Sequence, residues 1–241
     1  MEGYIDIHSH ILPGIDDGAR DFETSMEMLR TAYDNKIRKI ILTPHHKIGR
    51  HNARPEKILE LAREIGEAAR AADMEITFYV GNELYYSSET VHALEERLAC
   101  TMAGSSYVLV EFGPVDSLEH IRGGVYQILS AGYCPIIAHV ERYESVCAKV
   151  EHVADLAAMG CYIQVNAGSV IGQCGMGTKQ FLKKLLKREL VHFIATDCHD
   201  MGRRSPKLLE CARYMERKFG KEYTHRLMCG NPACVIENRY I

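Results

Sequence analysis

Apolar residues along the chain follow two periods, and these predict strands and helices in alternation. Short apolar runs, such as residues 39–42 and 107–110, have the length of buried strands and are flanked by turn residues. Between such runs, apolar residues recur at helical spacing, for example at Ile58, Leu61 and Ile65 behind Pro55. The pattern is typical of an α/β protein.

Seven strands alternate with helices in this interpretation, without a linker or an internal repeat. The predicted strands cover residues 4–10, 39–42, 76–80, 107–110, 135–138, 162–165 and 191–196. The predicted helices cover about residues 22–33, 55–68, 90–98, 117–130, 150–159, 179–188 and 206–219, and Asn231 caps a last helix. Such alternation indicates parallel strands, in a barrel or an open sheet, and we expect one domain over residues 1–241.

Composition and charge narrow the class of protein. The 241 residues are 46% hydrophobic and carry a net charge of −3, so no basic surface indicates nucleic acid or an anionic membrane as a partner. We find no apolar run of bilayer-spanning length and no secretory leader, so we expect no membrane insertion. The nine cysteines are odd in number and lack Cys-x-x-Cys spacing, which argues against a disulfide framework and a structural zinc site. We expect a cytoplasmic protein.

Histidines and carboxylates gather where the predicted strands end. They are His8, His10, His45, Glu83, Glu111, His139, Asp197 and His199. Asp17, in the turn-rich loop behind the first strand, adds a further carboxylate. Because functional side chains of parallel α/β folds lie at the C-terminal ends of strands, we expect these residues to form one site.

This set of side chains predicts a polynuclear metal site. Imidazole and carboxylate together suit manganese, iron, zinc or magnesium, and the absence of clustered thiolates argues against soft metals. The set exceeds what one ion needs, so we expect two or three divalent ions, which generate hydroxide at neutral pH. Arg142, Arg203 and Arg204 follow ligand-bearing strand ends, where guanidinium groups bind phosphate in bidentate fashion. The sequence therefore predicts hydrolysis of a phosphate ester.

Seven stretches resemble the PHP (polymerase and histidinol phosphatase) superfamily. Within it, they are most similar to the bacterial CpsB/YwqE-type protein-tyrosine phosphatases of capsule and exopolysaccharide operons. The stretches are Asp6-Ile7-His8-Ser9-His10, Gly14-Ile15-Asp16-Asp17-Gly18, Thr43-Pro44-His45-His46, Gly81-Asn82-Glu83, His139-Val140-Glu141-Arg142, Gln164-Val165-Asn166-Ala167-Gly168-Ser169 and Asp197-Cys198-His199. They run in the family's order across nearly the whole chain.

The resemblance implies a distorted seven-stranded (β/α)7 barrel with a trinuclear, commonly manganese-loaded site. The implied ligands are His8, His10, Asp17, His45, Glu83, Glu111, His139, Asp197 and His199. Arg142 and one of Arg203 and Arg204 would hold the phosphate, and the spacing from Asp197 favours Arg204. The implied substrate is phosphotyrosine on a protein, typically the tail of a partner bacterial tyrosine kinase that controls polysaccharide export. The oligomeric state is left open, and an oligomer is possible.

Cys198 departs from the family pattern, which has a small residue such as alanine between the two ligands. Its thiol is either inert or makes the site sensitive to oxidation. Residues 198–205 also fit Cys-x5-Arg-Ser, the phosphate loop of cysteine-dependent tyrosine phosphatases. The Cys-x5-Arg spacing recurs at Cys211 and Arg217 inside a predicted helix, and a loop with one glycine is poorly suited to cradle an anion. We therefore favour the metal mechanism.

Other functions remain as alternatives. The nearest is a small-molecule phosphatase of the histidinol-phosphate type, which would use the same metal site. A non-catalytic metal-binding scaffold is a second alternative, and the nearly complete ligand set argues against it. A nuclease-like activity is a third, and the lack of a basic face counts against it.

Overall fold

The computed structural model describes residues 3–241 as an α/β fold, and the strand pairs within these residues are parallel. Nine short strands occur in this part of the chain. They are β1 (Tyr4–Asp6), β2 (Ile37–Leu42), β3 (His45–Lys47), β4 (Thr77–Val80), β5 (Glu83–Tyr85), β6 (Tyr107–Glu111), β7 (Cys134–Ile137), β8 (Tyr162–Asn166) and β9 (Phe193–Ala195). The predicted α/β class with parallel strands is thus confirmed.

The strands form two sheets, in the orders β1-β2-β4 and β3-β5-β6-β7-β8-β9. The second and third predicted strands match β2 and β4 of the first sheet. The segments that follow them, β3 and β5, were not predicted as strands and join the second sheet after a break in the chain. Pro44, which has no N–H for a ladder, lies in the first break. Asn82 lies in the second, where its side chain donates to the Pro44 carbonyl at 2.8 Å. The structure therefore has nine strand segments where the sequence predicted seven strands.

Helices follow most strands, as the periodicity predicts. They are α1 (Phe22–Asp34), α2 (Pro55–Ala71), α3 (Thr90–Glu95), α4 (Leu118–Ser130), α5 (Glu144–Cys147), α6 (Val150–Ala158), α7 (Ala167–Ile171), α8 (Met176–Lys187), α9 (Leu209–Phe219), α10 (Lys221–His225) and α11 (Asn231–Ile236). None of the helices in the described residues has both the length and the apolarity that a bilayer span requires.

The two predicted helix caps that can be compared in detail have different outcomes. Asp21 caps α1, and its carboxylate accepts the Thr24 N–H at 2.8 Å, as predicted. The prediction for Asn231 is wrong. A π-helical turn, Arg226–Gly230, runs directly into α11, so the start of α11 needs no side-chain cap. The Asn231 side chain donates to the His192 carbonyl at 2.8 Å instead.

The interior packs in two apolar clusters. The larger one fills the space between the sheets and the helices. The smaller one joins strands of both sheets, with Ile5 and Ile7 of the first strand region against Tyr107, Leu109 and their neighbours. Ser9 also pairs with Cys198 in a parallel bridge, which ties the chain after β1 to the chain after β9. Strands of both sheets therefore share this smaller core, and the residues that follow Ile7 are buried as well.

Candidate metal centre

The strand ends bring all nine predicted ligands together. Three overlapping groups have donor atoms within 4.8 Å of one another. The groups are His8, His10, Glu83 and Asp197; His10, Asp17, His45 and His199; and His45, Glu83 and Glu111. His139 joins them through its Nε2 atom, which lies 2.8 Å from Oε1 of Glu83. The predicted convergence of these side chains is what the fold produces.

Glu83 lies at the middle of the cluster. Its Oε2 atom is 3.1 Å from Nε2 of His8, from Nε2 of His10 and from Nδ1 of His45. Donor atoms bound to one ion at about 2.0–2.3 Å lie about 3 Å apart, so these separations match the edges of coordination polyhedra. Because Glu83 belongs to two of the three groups, its carboxylate can bridge two ions.

Hydrogen bonds at the far side of each ring orient two imidazoles. Oε1 of Gln164 accepts the His139 backbone N–H at 2.7 Å and lies 3.3 Å from Nδ1 of His8. Because an amide oxygen only accepts hydrogen bonds, Nδ1 of His8 carries the proton in this contact. Nδ1 of His10 is bound in the same way by Asp16, at 2.7 Å. In the neutral rings, both Nε2 atoms then point lone pairs at each other across 3.2 Å. Such an arrangement suits a cation between them.

Two buried donor atoms of the centre contact other candidate ligands without the geometry of a hydrogen bond. They are Oε2 of Glu83 and Nε2 of His199. Without a cation, protons must fill the positions between these atoms. Burial lowers the pKa of His10, but its contacts with the carboxylates of Asp16 and Glu83 outweigh burial and raise the pKa to about 10. A divalent ion would compete with these protons, so the residues present fit a metal centre.

The outer side of the centre is more open. Asp17, whose side chain is 65% exposed, places Oδ1 3.3 Å from Nε2 of both His45 and His199. The close approach of these two rings holds the pKa of Asp17 below its usual range. On the opposite side, burial and the neighbouring Glu83 raise the pKa of Glu111 to about 7. Asp17, His45 and Glu111 are therefore the candidate ligands with clear access to solvent, whereas His8 is buried.

Two candidate ligands occupy strained backbone positions. His139 has φ 30° and Asp197 has φ 51°, in the left-handed region that non-glycine residues rarely adopt. They follow β7 and β9, respectively, at the point where each strand meets the cluster. Such strain costs about 1–3 kcal/mol per residue and persists only where the surroundings impose it. These backbone conformations direct both side chains toward the same centre, and the rest of the fold stabilises them against the strain.

Two of the three predicted arginines converge on Asp197. Arg142 donates to Oδ2 of Asp197 in a short ion pair, and Nη2 of Arg204 lies 2.7 Å from Oδ1. Burial raises the pKa of Asp197, but His8, His139 and Arg142 outweigh it and hold the pKa below its usual range. Arg203 turns instead to the Gln173 carbonyl at 3.4 Å. All three line a pocket of about 60 Å³ beside the centre.

Several supporting residues were not assigned a role from the sequence. Asp16 binds His10 and also accepts the His45 N–H at 3.1 Å. Gln164 donates to Oδ1 of Asn166 at 2.9 Å, and Asn166 donates to Oδ2 of Asp197 at 2.8 Å. The strand period could have predicted the pairing of Gln164 with Asn166, because residues two apart on β8 share a face.

The geometry is matched by similarity to known proteins. The family profile described as capsular polysaccharide synthesis, CpsB/CapC, matches residues 4–237. The chain belongs to the CpsB/CapC family. It is 34% identical over 242 aligned positions to the tyrosine-protein phosphatase CpsB of Streptococcus pneumoniae, which covers 98% of this chain and 100% of the relative.

Solved structures extend the comparison. One, from a study of YwqE of Bacillus subtilis and CpsB of Streptococcus pneumoniae as unique metal-dependent tyrosine phosphatases, superposes with a TM-score of 0.92 at 31% identity. It covers 98% of this chain and 96% of the solved chain. A histidinol phosphate phosphatase from Lactococcus lactis, solved with zinc, L-histidinol and phosphate, has a TM-score of 0.58 at 15% identity and covers 90% and 93% of the two chains. The second likeness reflects the fold alone.

Cys198, at a position where the resemblance implies a small residue, belongs to none of the three groups of donor atoms. Its side chain is fully buried, and burial raises the pKa of its thiol above the usual range. The loop behind it is closed on itself, because Oδ1 of Asp200 accepts the N–H groups of Gly202 and Arg204 at 2.6 and 3.1 Å. These amides are not free to cradle a phosphate on the thiol. The geometry favours the inert interpretation of Cys198.

Proposed function

We propose that this protein is a metal-dependent protein-tyrosine phosphatase, a phosphoric monoester hydrolase. The observation that carries the proposal is the position of Arg142 and Arg204 beside three overlapping groups of imidazole and carboxylate donors. A metal centre next to paired guanidinium groups suits hydrolysis of a phosphate ester. Membership of the CpsB/CapC family supports phosphotyrosine as the substrate.

The donor set supports two or three divalent ions, with manganese as our choice and iron, zinc or magnesium as alternatives. The proposed ligands are His8, His10, Asp17, His45, Glu83, Glu111, His139, Asp197 and His199. Divalent ions, when bound, supply Lewis acidity and a hydroxide nucleophile at neutral pH. The imidazole and carboxylate donors suit these metals better than soft metals, which prefer sulfur.

The surrounding residues orient the substrate. In this proposal, Arg142 and Arg204 bind the phosphate oxygens and neutralise the charge that develops on them. Asp197 holds both guanidinium groups in place and is itself held by Asn166. Gln164 keeps the proton of His8 on Nδ1 and so directs the Nε2 lone pair at the centre. Arg203 has a lesser role at the rim of the pocket.

The wider setting belongs to the same proposal. Residues 1–241 form one domain, and the core shared by the two sheets supports a distorted barrel of the PHP type. The cysteines within residues 3–241 form no disulfide, which supports action in the reducing cytoplasm. The proposed partner is a cognate bacterial tyrosine kinase of capsule or exopolysaccharide synthesis, whose phosphotyrosine tail is the substrate.

Hydrolysis of histidinol phosphate is the alternative, and it is less well supported. The likeness to the histidinol phosphate phosphatase concerns the fold, whereas the likeness to CpsB extends over the whole chain. A scaffold without catalysis would not need two arginines aimed at a ligand carboxylate.

Metal-stripped protein separates these functions. We expect it to be inactive, and added Mn²⁺ to restore turnover of a phosphotyrosine peptide well above that of histidinol phosphate. Full activity in the stripped sample would contradict the metal mechanism. Faster turnover of histidinol phosphate would favour the alternative.

A further inference from the structure

A second, larger cavity lies beside the metal centre. It has a volume of about 730 Å³, within the range of ligand-binding pockets, and is separate from the small pocket of Arg142 and Arg204. Two points on its wall adjoin the centre. Ile15 precedes Asp16, which binds His10, and His46 follows His45. We call this cavity the flank groove.

The rim of the flank groove is cationic. Arg50, Arg54 and Lys57 line it, and none of its described lining residues is acidic. Lys57 pairs with Glu60 at 3.1 Å. Arg50 and Arg54 form no ion pair within residues 3–241, so their charges are uncompensated. The groove therefore favours an anionic occupant.

The floor of the groove is apolar with one unpaired polar atom. Ile15, Ala53 and the 55% exposed Leu98 provide apolar surface. His46 is only 7% exposed, and its Nδ1 atom has no hydrogen-bond partner among the described residues. An unpaired buried polar atom destabilises a protein, so a bound polar group that reached Nδ1 of His46 would be stabilised there. Apolar floor, polar atom and cationic rim together suit a peptide segment.

We propose that the flank groove binds the residues next to the phosphotyrosine and selects carboxylate side chains among them. This inference rests on the proposed phosphatase function. Two residues that line the groove, Ile15 and His46, are sequence neighbours of Asp16 and His45 of the centre. A peptide whose phosphotyrosine occupies the centre therefore extends into the groove. Arg50 and Arg54 then pair with Asp or Glu of the substrate, while the aliphatic parts of these side chains lie on Ile15 and Leu98.

The test compares phosphotyrosine peptides that carry Glu, Gln or Lys at each position flanking the phosphotyrosine. We expect wild type to prefer the Glu peptides. In R50E/R54E, we expect the ratio of kcat/KM for Glu over Gln peptides to fall about tenfold, since two exposed ion pairs contribute about 1 kcal/mol or less each. The loss should appear in KM and shrink at high salt. R213E/R217E, the same charge change on the exposed side of α9, should leave the ratio unchanged.

Two results would overturn the proposal. One is a wild-type enzyme without a preference for Glu over Gln peptides. The other is an R50E/R54E variant whose ratio stays at the wild-type value. p-Nitrophenyl phosphate, which has no peptide flank, separates these failures from a failure of the phosphatase function. If Mn²⁺-loaded wild type hydrolyses p-nitrophenyl phosphate without a peptide preference, only the flank groove is wrong. If it hydrolyses neither substrate, both proposals are wrong.

Discussion

Gln164 accepts the backbone N–H of His139 at 2.7 Å with the same side-chain oxygen that faces Nδ1 of His8. One amide thus fixes the strained backbone of His139 and the tautomer of His8, whose ring lies behind another strand. Its nitrogen continues the chain through Asn166 to Asp197. Three candidate ligands from separate strand ends are therefore oriented by one buried hydrogen-bonded chain.

Removing the Gln164 side-chain amide should weaken metal binding and lower the stability of the fold. We expect Gln164→Leu to lower metal affinity about 10- to 100-fold, because residues that orient ligands contribute about that much. The free energy of unfolding should fall by about 1–3 kcal/mol for each orphaned donor. Elemental analysis after dialysis against buffered Mn²⁺ measures the first effect. Gln164→Glu, which still accepts both protons, should recover part of it. Wild-type affinity in the leucine variant would show that the chain is not needed.

The nine proposed ligands should differ in importance. Glu83 contacts His8, His10 and His45 through one oxygen, whereas Glu111 belongs to one group only. We expect Glu83→Ala to remove more metal per protein than Glu111→Ala. Both should lower kcat by at least about 100-fold, since even residues that merely support ligands contribute about 10- to 100-fold. Metal-to-protein ratios and kcat at saturating Mn²⁺ check the order. Equal metal content in the two variants would contradict a bridging role for Glu83.

Substitution of the arginines that contact Asp197 should lower activity more than substitution of Arg203. We expect Arg142→Ala and Arg204→Ala each to lower kcat/KM about 10²- to 10³-fold, as the loss of one transition-state donor does. Arg142→Lys should recover only part, because an ammonium cannot reproduce the planar fork. Arg203→Ala is the matched control, since its guanidinium donates to the Gln173 carbonyl and forms no ion pair with Asp197. Near-wild-type kinetics in Arg142→Ala would assign that residue to the surface.

The thiol chemistry suggested by residues 198–205 has a direct test. Cys198 is fully buried and has a raised pKa, so we expect Cys198→Ser to keep most of its activity. We expect no phosphocysteine to be trapped by acid quench and mass spectrometry. His199→Ala should be almost inactive, because its ring belongs to the Asp17 and His45 group. An inactive Cys198→Ser that keeps its metals, together with a wild type that tolerates chelator, would make the thiolate the nucleophile.

The sequence predicted the centre better than it predicted the sheets. Ligands follow strands, and apolar runs such as residues 107–110 mark strands clearly, so strand ends could be located from pattern alone. The breaks at Pro44 and Asn82 were not predicted, because which sheet each segment joins depends on contacts between distant residues. Asp16 illustrates the same limit. Its neighbour Asp17 has the same chemistry, and only the folded loop decides which carboxylate faces His10.

A half-buried histidine remote from the centre, His192, should make stability depend on pH. Nδ1 of His192 accepts the Ile163 N–H at 3.0 Å, and its ring packs edge-on against Tyr162. Burial and the nearby Arg226 lower the pKa of His192 from 6.5 to about 4. Between these values the unfolded chain binds more protons than the folded one, so the free energy of unfolding falls as pH falls through this window.

His192→Asn removes this titration and keeps an acceptor for the Ile163 N–H. We expect wild type to lose about 2 kcal/mol more than the variant between pH 7 and pH 4.5, since one pKa unit corresponds to about 1.4 kcal/mol. Urea unfolding of metal-free protein at both pH values measures the difference without a contribution from bound metal. Because the other titratable groups, those of the centre included, behave alike in both proteins, their contribution cancels in the comparison. Parallel pH profiles would mean that His192 titrates alike in the folded and unfolded chain.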